Sequence, residues 1–372
     1  MRNGYRVIDT DSHQMEPPSI WREYIDPAFA DRAPKFDDIG HGRAGLTVEG
    51  EPIAKQDGTY PMHSEEFHAA SRKASLETHE AARAAGFSAD IRLSDMDEYG
   101  VDAQVLYPTQ GGQMLGKPFR DPELLAAVCR AYNDWSLEYC SRAAERLRMS
   151  AMLPMQAPDL AVEEAKRMAE RGAACFFVRP NPVAGRNLHH RDYDEVWRTI
   201  EELERPVCIH DSGSPYLPSF GDRMETHTSG HILSHPFEAM AAMMGLIWFG
   251  TIERHPRLSI VHVEADAGWL PYWLQRMEQH WDFSGNAEHP DLKKRPTEYF
   301  KSNFLVACRG DEMTLGAVCD LVGDDYVTFN TDYPHADGTW PLGMEHLEQQ
   351  SLPEESIRKI FWDNAAPVFG LA

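Results

Sequence analysis

Eight short apolar runs, separated by helix-patterned segments, constrain this sequence more than any other feature. They cover residues 5–10, 103–108, 149–154, 174–179, 207–210, 259–264, 304–308 and 327–330. Most are continuously apolar rather than alternating, the pattern of parallel strands covered on both faces. Leu124, Leu125, Val128, Tyr132, Trp135 and Tyr139 recur at helical spacing and predict a helix over 122–146. Similar patterns predict helices over 159–171, 194–203, 236–254, 269–281 and 312–322. Strands alternating with helices predict an α/β fold. Eight such units predict a closed (β/α)8 TIM barrel, which needs roughly 250 residues.

The chain has 372 residues, and most of the surplus falls between the first two strands. Residues from about 17 to 90, rich in Pro, Gly, His and charge, read as an insertion or lid over the barrel mouth, within one domain spanning 1–372. A second excursion, 212–235, carries His227, His231 and His235 and is expected to fold over the same mouth. No G-x-G-x-x-G follows the first strand, which argues against an open dinucleotide-binding sheet.

The formal net charge of -23 argues against a nucleic-acid partner, whose phosphates need a basic face. No apolar run approaches the roughly 20 residues of a membrane span. No basic segment followed by an apolar stretch opens the chain. The reading is a soluble, cytoplasmic protein. None of the six cysteines forms a C-x-x-C pair, and Cys175, Cys208 and Cys308 lie in the apolar runs. They read as small, reduced core residues rather than zinc ligands or disulfides.

In such barrels the active site lies at the C-terminal ends of the strands. Here those ends carry ligand-type residues. Asp11 and His13 end the first strand, with Glu16 beyond; Arg179 ends the fourth; His210 and then Asp211 end the fifth. The sixth holds His262 and ends in Glu264, Arg309 follows the seventh, and Asp332, His335 and Asp337 follow the eighth. Alternate strand residues point the same way, so Asp11 and His13 can share an ion. Asp11, His13, His210 and Asp332 form a nitrogen–oxygen set that zinc, manganese or iron(II) accepts.

The ordered motifs resemble a known family. They are D-S-H-Q-M-E-P at 11–17, Y-G-V-D-A-Q-V-L-Y-P-T at 99–109, P-V-C-I-H at 206–210, H-P-R-L-S-I-V-H-V-E-A-D-A-G-W-L-P-Y at 255–272 and T-D-Y-P-H-A-D at 331–337. Together they resemble the amidohydrolase superfamily of metal-dependent barrels, in the branch related to aminocarboxymuconate-semialdehyde decarboxylase. The resemblance puts the family's His-x-His metal motif on Asp11 and His13. It puts the fifth-strand histidine on His210 and the last aspartate on Asp332. It also implies a homodimer. Two positions depart from the pattern. Asp11 stands where relatives have His, and Glu264 where they often have a second histidine. Arg179 ends the fourth strand with no lysine to carboxylate, which favours one metal over a bridged pair.

These residues support one divalent ion, zinc first and manganese second. Asp332, His210 and Glu264 are the candidate catalytic residues. Arg179, Arg309, His335 and Trp269 are the candidate substrate contacts, with Trp340 as a further wall. The substrate would be a small molecule, carboxylate-bearing or aromatic. Hydrolysis through an activated water is the first reading. Non-oxidative decarboxylation of an unsaturated or aromatic acid is the alternative, and a non-catalytic binding protein is the third.

Overall fold

A computed structural model describes residues 1–40, 43–56, 66, 69–70, 73–74 and 79–371. Eight parallel strands form one continuous sheet in chain order: β1 (Ile8–Gln14), β2 (Ala103–Pro108), β3 (Leu147–Met152), β4 (Cys175–Val178), β5 (Val207–Ile209), β6 (Ile260–His262), β7 (Phe304–Arg309) and β8 (Val327–Asn330). Helices pack outside it: α1 (Ala89–Tyr99), α2 (Pro122–Cys140), α3 (Pro158–Arg171), α4 (Asp194–Glu202), α5 (His227–Trp248), α6 (Leu270–His280), α7 (Pro296–Asn303) and α8 (Leu315–Leu321). The barrel expected from the apolar runs is present. Its strands bury almost every residue, which explains why they read as continuously apolar.

Closure joins the first strand to the last. The His13 amide donates to Tyr333 O at 2.6 Å, and the Asp332 amide donates to Asp11 O at 2.9 Å. Below these bonds, the Thr10 hydroxyl donates to Phe329 O at 2.8 Å. Asp9 lies at the centre of this seam, fully buried. It accepts from Thr331 N at 2.9 Å, from the Thr331 hydroxyl, and from Ser12 Oγ at 2.7 Å. The Asp11 amide also leans on it at 3.3 Å, where β1 slips register against β2 between Asp9 and Ser12. This bulge carries β1 on through Gln14, beyond the boundary read from apolar residues alone. The buried Arg92 of α1 ties the seam to β2 through His13 O and Gln104 Oε1, and lies 4.7 Å over the Tyr333 ring.

Two helix boundaries differ from the sequence reading. The helix predicted over 122–146 ends at Cys140. The helix predicted to begin at Pro236 begins at His227 and runs through that proline. Proline is favoured at a first helical position, so the sequence reads as a start there. In the structure Thr226 caps the true start, accepting from Ser229 N at 3.2 Å. Two further turns therefore bring His231 and His235 to the barrel mouth.

Within the segment 17–90, strands Lys35–Asp38, Ala44–Val48 and Glu51–Pro52 form a small antiparallel sheet. It is joined to the barrel side by Lys117–Glu51 and Lys55–Asp222 ion pairs and by the Lys55 amide donating to Ser214 O at 3.1 Å. The rest of this stretch falls partly outside the described residues. All six cysteines are free thiols. Among the described residues no helix is long and apolar enough to cross a membrane.

Two predictions follow from the packing. Asp9→Ala orphans the Thr331 amide and hydroxyl inside the seam, and is expected to cost about 2–3 kcal/mol. Chemical denaturation checks this, and Asp9→Asn, which keeps an acceptor, should cost less. His262 is buried with both ring nitrogens unpartnered and stacks on Phe304 at 5.9 Å. Burial pushes its pKa from the ordinary 6.5 down to about 3. The unfolded chain therefore takes up a proton that the native one refuses, and stability is lost as pH falls below 6.5. The limb is roughly 1.4 kcal/mol per pH unit. His262→Leu should flatten it, seen as a smaller drop in Tm between pH 7.5 and 4.5 than in the unmutated protein.

Candidate metal centre and active site

Asp11 and His13 from β1 and His210 after β5 gather around one point, and Asp332 adjoins them through His13. His13 Nε2 lies 3.4 Å from Asp11 Oδ1, 3.4 Å from Asp332 Oδ1 and 3.1 Å from His210 Nε2. His210 Nε2 lies 3.6 Å from Asp11 Oδ1. A ligand sphere of about 2.1 Å radius has edges of roughly 3.0 Å if octahedral and 3.4 Å if tetrahedral. The separations match such edges.

His13 is also in the chemical state of a donor. His13 Nδ1 lies 3.2 Å from Pro108 O, a group that only accepts, so the ring proton sits on Nδ1 and the Nε2 lone pair faces the cluster. Burial holds His13 well below the ordinary histidine range, with His335 and His210 adding to the effect. Asp11 is wholly buried and neither of its carboxylate oxygens has a partner. Buried polar atoms are nearly always satisfied. A cation between Asp11, His13 and His210 would satisfy them, and these residues fit a divalent ion, with Asp332 adjoining the group through His13. Without one, burial and the nearby carboxylates of Asp332 and Glu264 push Asp11 well above the carboxylate range.

Asp332 forms the boundary between this cluster and open space. It holds a left-handed backbone, φ 58, as do Glu264 and Asp266, both at φ 51. Such conformations cost on the order of 1 kcal/mol or more and concentrate at functional sites. Burial pushes the Asp332 carboxyl up to about 7, against the pull of His335 beside it. His335 Nδ1 lies 2.8 Å from Asp332 Oδ1, its Nε2 meets Thr109 Oγ1 at 3.1 Å, and its ring stacks on His13 at 4.0 Å. Burial lowers the His335 pKa, but the Asp332 charge outweighs this and carries it up to about 9. His335 thus braces Asp332.

Outside lies a cavity of about 650 Å³, lined by Asp332, Glu264, His231, His235, Trp269 and Arg309 among others. Trp269 walls it, its indole N–H held by Ala265 O at 2.9 Å. Arg309 reaches it at the rim while paired to Asp311 at 3.1 Å. Glu264 Oε2 lies 2.9 Å from His210 Nε2. Burial would raise its pKa, yet His235 and His210 together hold it well below the carboxylate range.

The structure places the remaining sequence candidates elsewhere. Arg179 is buried away from the cavity lining and its guanidinium is taken by Asp211, Asn181 Oδ1 at 2.9 Å and Gly112 O at 3.1 Å. Glu16 accepts from the amides of Thr109, Gln110 and Gly111, each at 3.0 Å. It therefore caps the helix after β2 rather than turning to the cluster. Trp340 packs into the core, 4.7 Å from the Tyr333 ring. His231 and His235 were visible only as part of an excursion, and their i, i+4 spacing was the available signal.

The metal fit gives a direct expectation. His13→Ala should remove one equivalent of bound manganese or zinc per chain, measured by plasma mass spectrometry. It should also abolish the part of the Tm rise that this ion produces in the unmutated protein.

A gamma-resorcylate decarboxylase of Polaromonas sp. (strain JS666 / ATCC BAA-500) is 26% identical over 76% of this chain and 87% of its own. A 2-amino-3-carboxymuconate-6-semialdehyde decarboxylase of Dictyostelium discoideum is 25% identical over 76% of each. A dihydroxybenzoic acid decarboxylase of Polaromonas sp. JS666, solved with manganese and the inhibitor 2-nitroresorcinol, superposes with a TM-score of 0.63 at 18% identity, covering 100% of this chain and 97% of that one. The amidohydrolase family model matches residues 8–371, so this chain belongs to the amidohydrolase family, in the branch that includes aminocarboxymuconate-semialdehyde decarboxylases.

Proposed function

We propose that this protein is a metal-dependent, non-oxidative decarboxylase of a small aromatic or unsaturated carboxylic acid. The observation that carries the reading is the position of Asp332, a carboxyl that stands between the candidate ligand cluster and an open cavity of about 650 Å³. The decarboxylases similar to this chain support it, and they reverse the order of the two catalytic readings made from sequence, which put hydrolysis first. The donor set of two carboxylates and two imidazoles suits manganese as well as zinc. The manganese in the Polaromonas structure supports taking manganese first. The expected homodimer belongs to the same reading.

When bound, the divalent ion would supply a Lewis-acid anchor for the substrate's carboxylate and a neighbouring oxygen. The chain's own groups do the rest. Asp332 delivers a proton to the carbon bearing the carboxylate. The carbon–carbon bond then breaks, its electron pair returns to the ring and carbon dioxide leaves. One proton enters and one carbon dioxide departs, with no redox change. His335 holds the Asp332 carboxyl in place for this transfer. Trp269 flanks the planar ring, and Arg309 offers a cation at the rim.

The manganese-loaded protein, given gamma-resorcylate and related ortho-hydroxy aromatic acids in deuterated water, should release carbon dioxide and leave one deuterium on the vacated carbon. Asp332→Asn at saturating manganese should lower kcat by roughly 10²-fold or more. Oxygen from labelled water appearing in an acid product, with no carbon dioxide released, would establish hydrolysis instead.

A further inference from the structure

The cavity wall holds a second constellation of metal-ligand type, outside the cluster at the seam. His231 and His235 stand one turn apart on α5, and residues at that spacing share a helix face. Their rings lie 3.8 Å apart. His235 Nε2 lies 3.3 Å from Glu264 Oε2, and His231 Nε2 lies 3.5 Å from Glu264 Oε1. The three ligand atoms fall within 4.8 Å of one another. The two separations run to different oxygens of Glu264, so its carboxylate faces both imidazoles at once. Asp337 Oδ2 stands 3.8 Å from His231 Nε2, within reach as a further oxygen ligand.

The ring of His235 is oriented from its far side. Its Nδ1 lies 3.1 Å from Ser234 Oγ and 3.3 Å from His231 O, and its Nε2 faces Glu264, to which it donates until an ion takes the proton's place. Two imidazole nitrogens on one helical turn with a carboxylate from another element form a common first-row transition-metal arrangement. The sequence context is also unlike a structural site, because three protein ligands leave positions open toward the cavity.

The charge around the cavity points the same way. Six carboxyl groups line it: Glu264, Asp266, Asp311, Glu312, Asp332 and Asp337. Arg309 is the one guanidinium among the lining residues, and Asp311 already pairs with it. An anionic substrate would meet a strongly negative mouth, and an additional cation there offsets it.

We infer that His231, His235 and Glu264 form a second divalent transition-metal site, open to the cavity and joined to the inner site through the Glu264 carboxylate. Glu264 reaches both, since its Oε2 is 2.9 Å from His210 Nε2. This is not a lysine-bridged pair, as β4 is followed by Arg179. The outer ion faces the substrate and is the more exchangeable one, because His231 is partly exposed whereas the inner ligands Asp11, His13 and His210 are buried. The inference stands on the ligand geometry and does not require decarboxylation to be the reaction.

The test is metal stoichiometry of the full chain, titrated separately with zinc and manganese and read by plasma mass spectrometry after desalting. The unmutated protein should take up two equivalents. His231→Gln and His235→Gln should each retain one. His13→Ala should also retain one, now the outer ion. Cobalt(II) absorption should show two components, of which the His231→Gln spectrum lacks one. Because His231 is partly exposed, its substitution leaves folding intact, and circular dichroism confirms that. Saturation at one equivalent in the unmutated protein, or two equivalents undiminished by either histidine substitution, overturns the outer site. Zero equivalents throughout would overturn both sites and with them the proposed function, whereas one equivalent overturns the outer site alone.

Discussion

Closure of the barrel between its first and last strands is the constraint on which the rest depends. The strands are far apart in sequence, and their pairing carries the long-range order of the fold. Asp9 organises this seam as a buried hub. By bonding Thr331 on one side and Ser12 and the Asp11 amide on the other, it sets the register at which β1 meets β8. Backbone bonds from His13 to Tyr333 and from Asp332 to Asp11 then hold the candidate ligand side chains in place. The unpartnered oxygens of Asp11 are the counterpart: the closed seam leaves a buried carboxylate that a cation would complete.

The chemistry is graded outward from this seam. Asp11 and His13 are wholly enclosed, Asp332 stands at the boundary, and Glu264 faces both the cluster and the cavity. Two kinds of support hold the grading in place. A backbone carbonyl fixes an imidazole tautomer, at Pro108 for His13. Histidines brace carboxylates, as His335 does Asp332. Placing such groups on strand ends and on one rigid helix keeps them near their working geometry before substrate arrives.

Much of this was legible in the sequence. The strands read as apolar runs because the barrel buries both their faces. The residues at strand ends announced a site because polar groups there have no packing reason to be present. Other features were not legible. Glu16 follows the first strand like a ligand, yet it caps the amides of 109–111, which only the three-dimensional path of β2 brings near. Arg179 looked like an anion clamp until its burial against Asp211 was seen. Helix α5 hid behind Pro236, since local propensity marks proline as a start and says nothing of two earlier turns secured by tertiary contacts. The role of Asp9 was likewise invisible, because a buried carboxylate hub has no spacing signature.

The central claim is that barrel closure assembles a metal site from Asp11, His13, His210 and Asp332. The most direct measurement is a crystal structure of the manganese-loaded protein with anomalous scattering recorded at the manganese edge. The account predicts a strong peak enclosed by these four side chains, at about 2.0–2.3 Å from their nearest oxygen and nitrogen atoms. An empty position there, with manganese found only against exposed surface carboxylates, would contradict it.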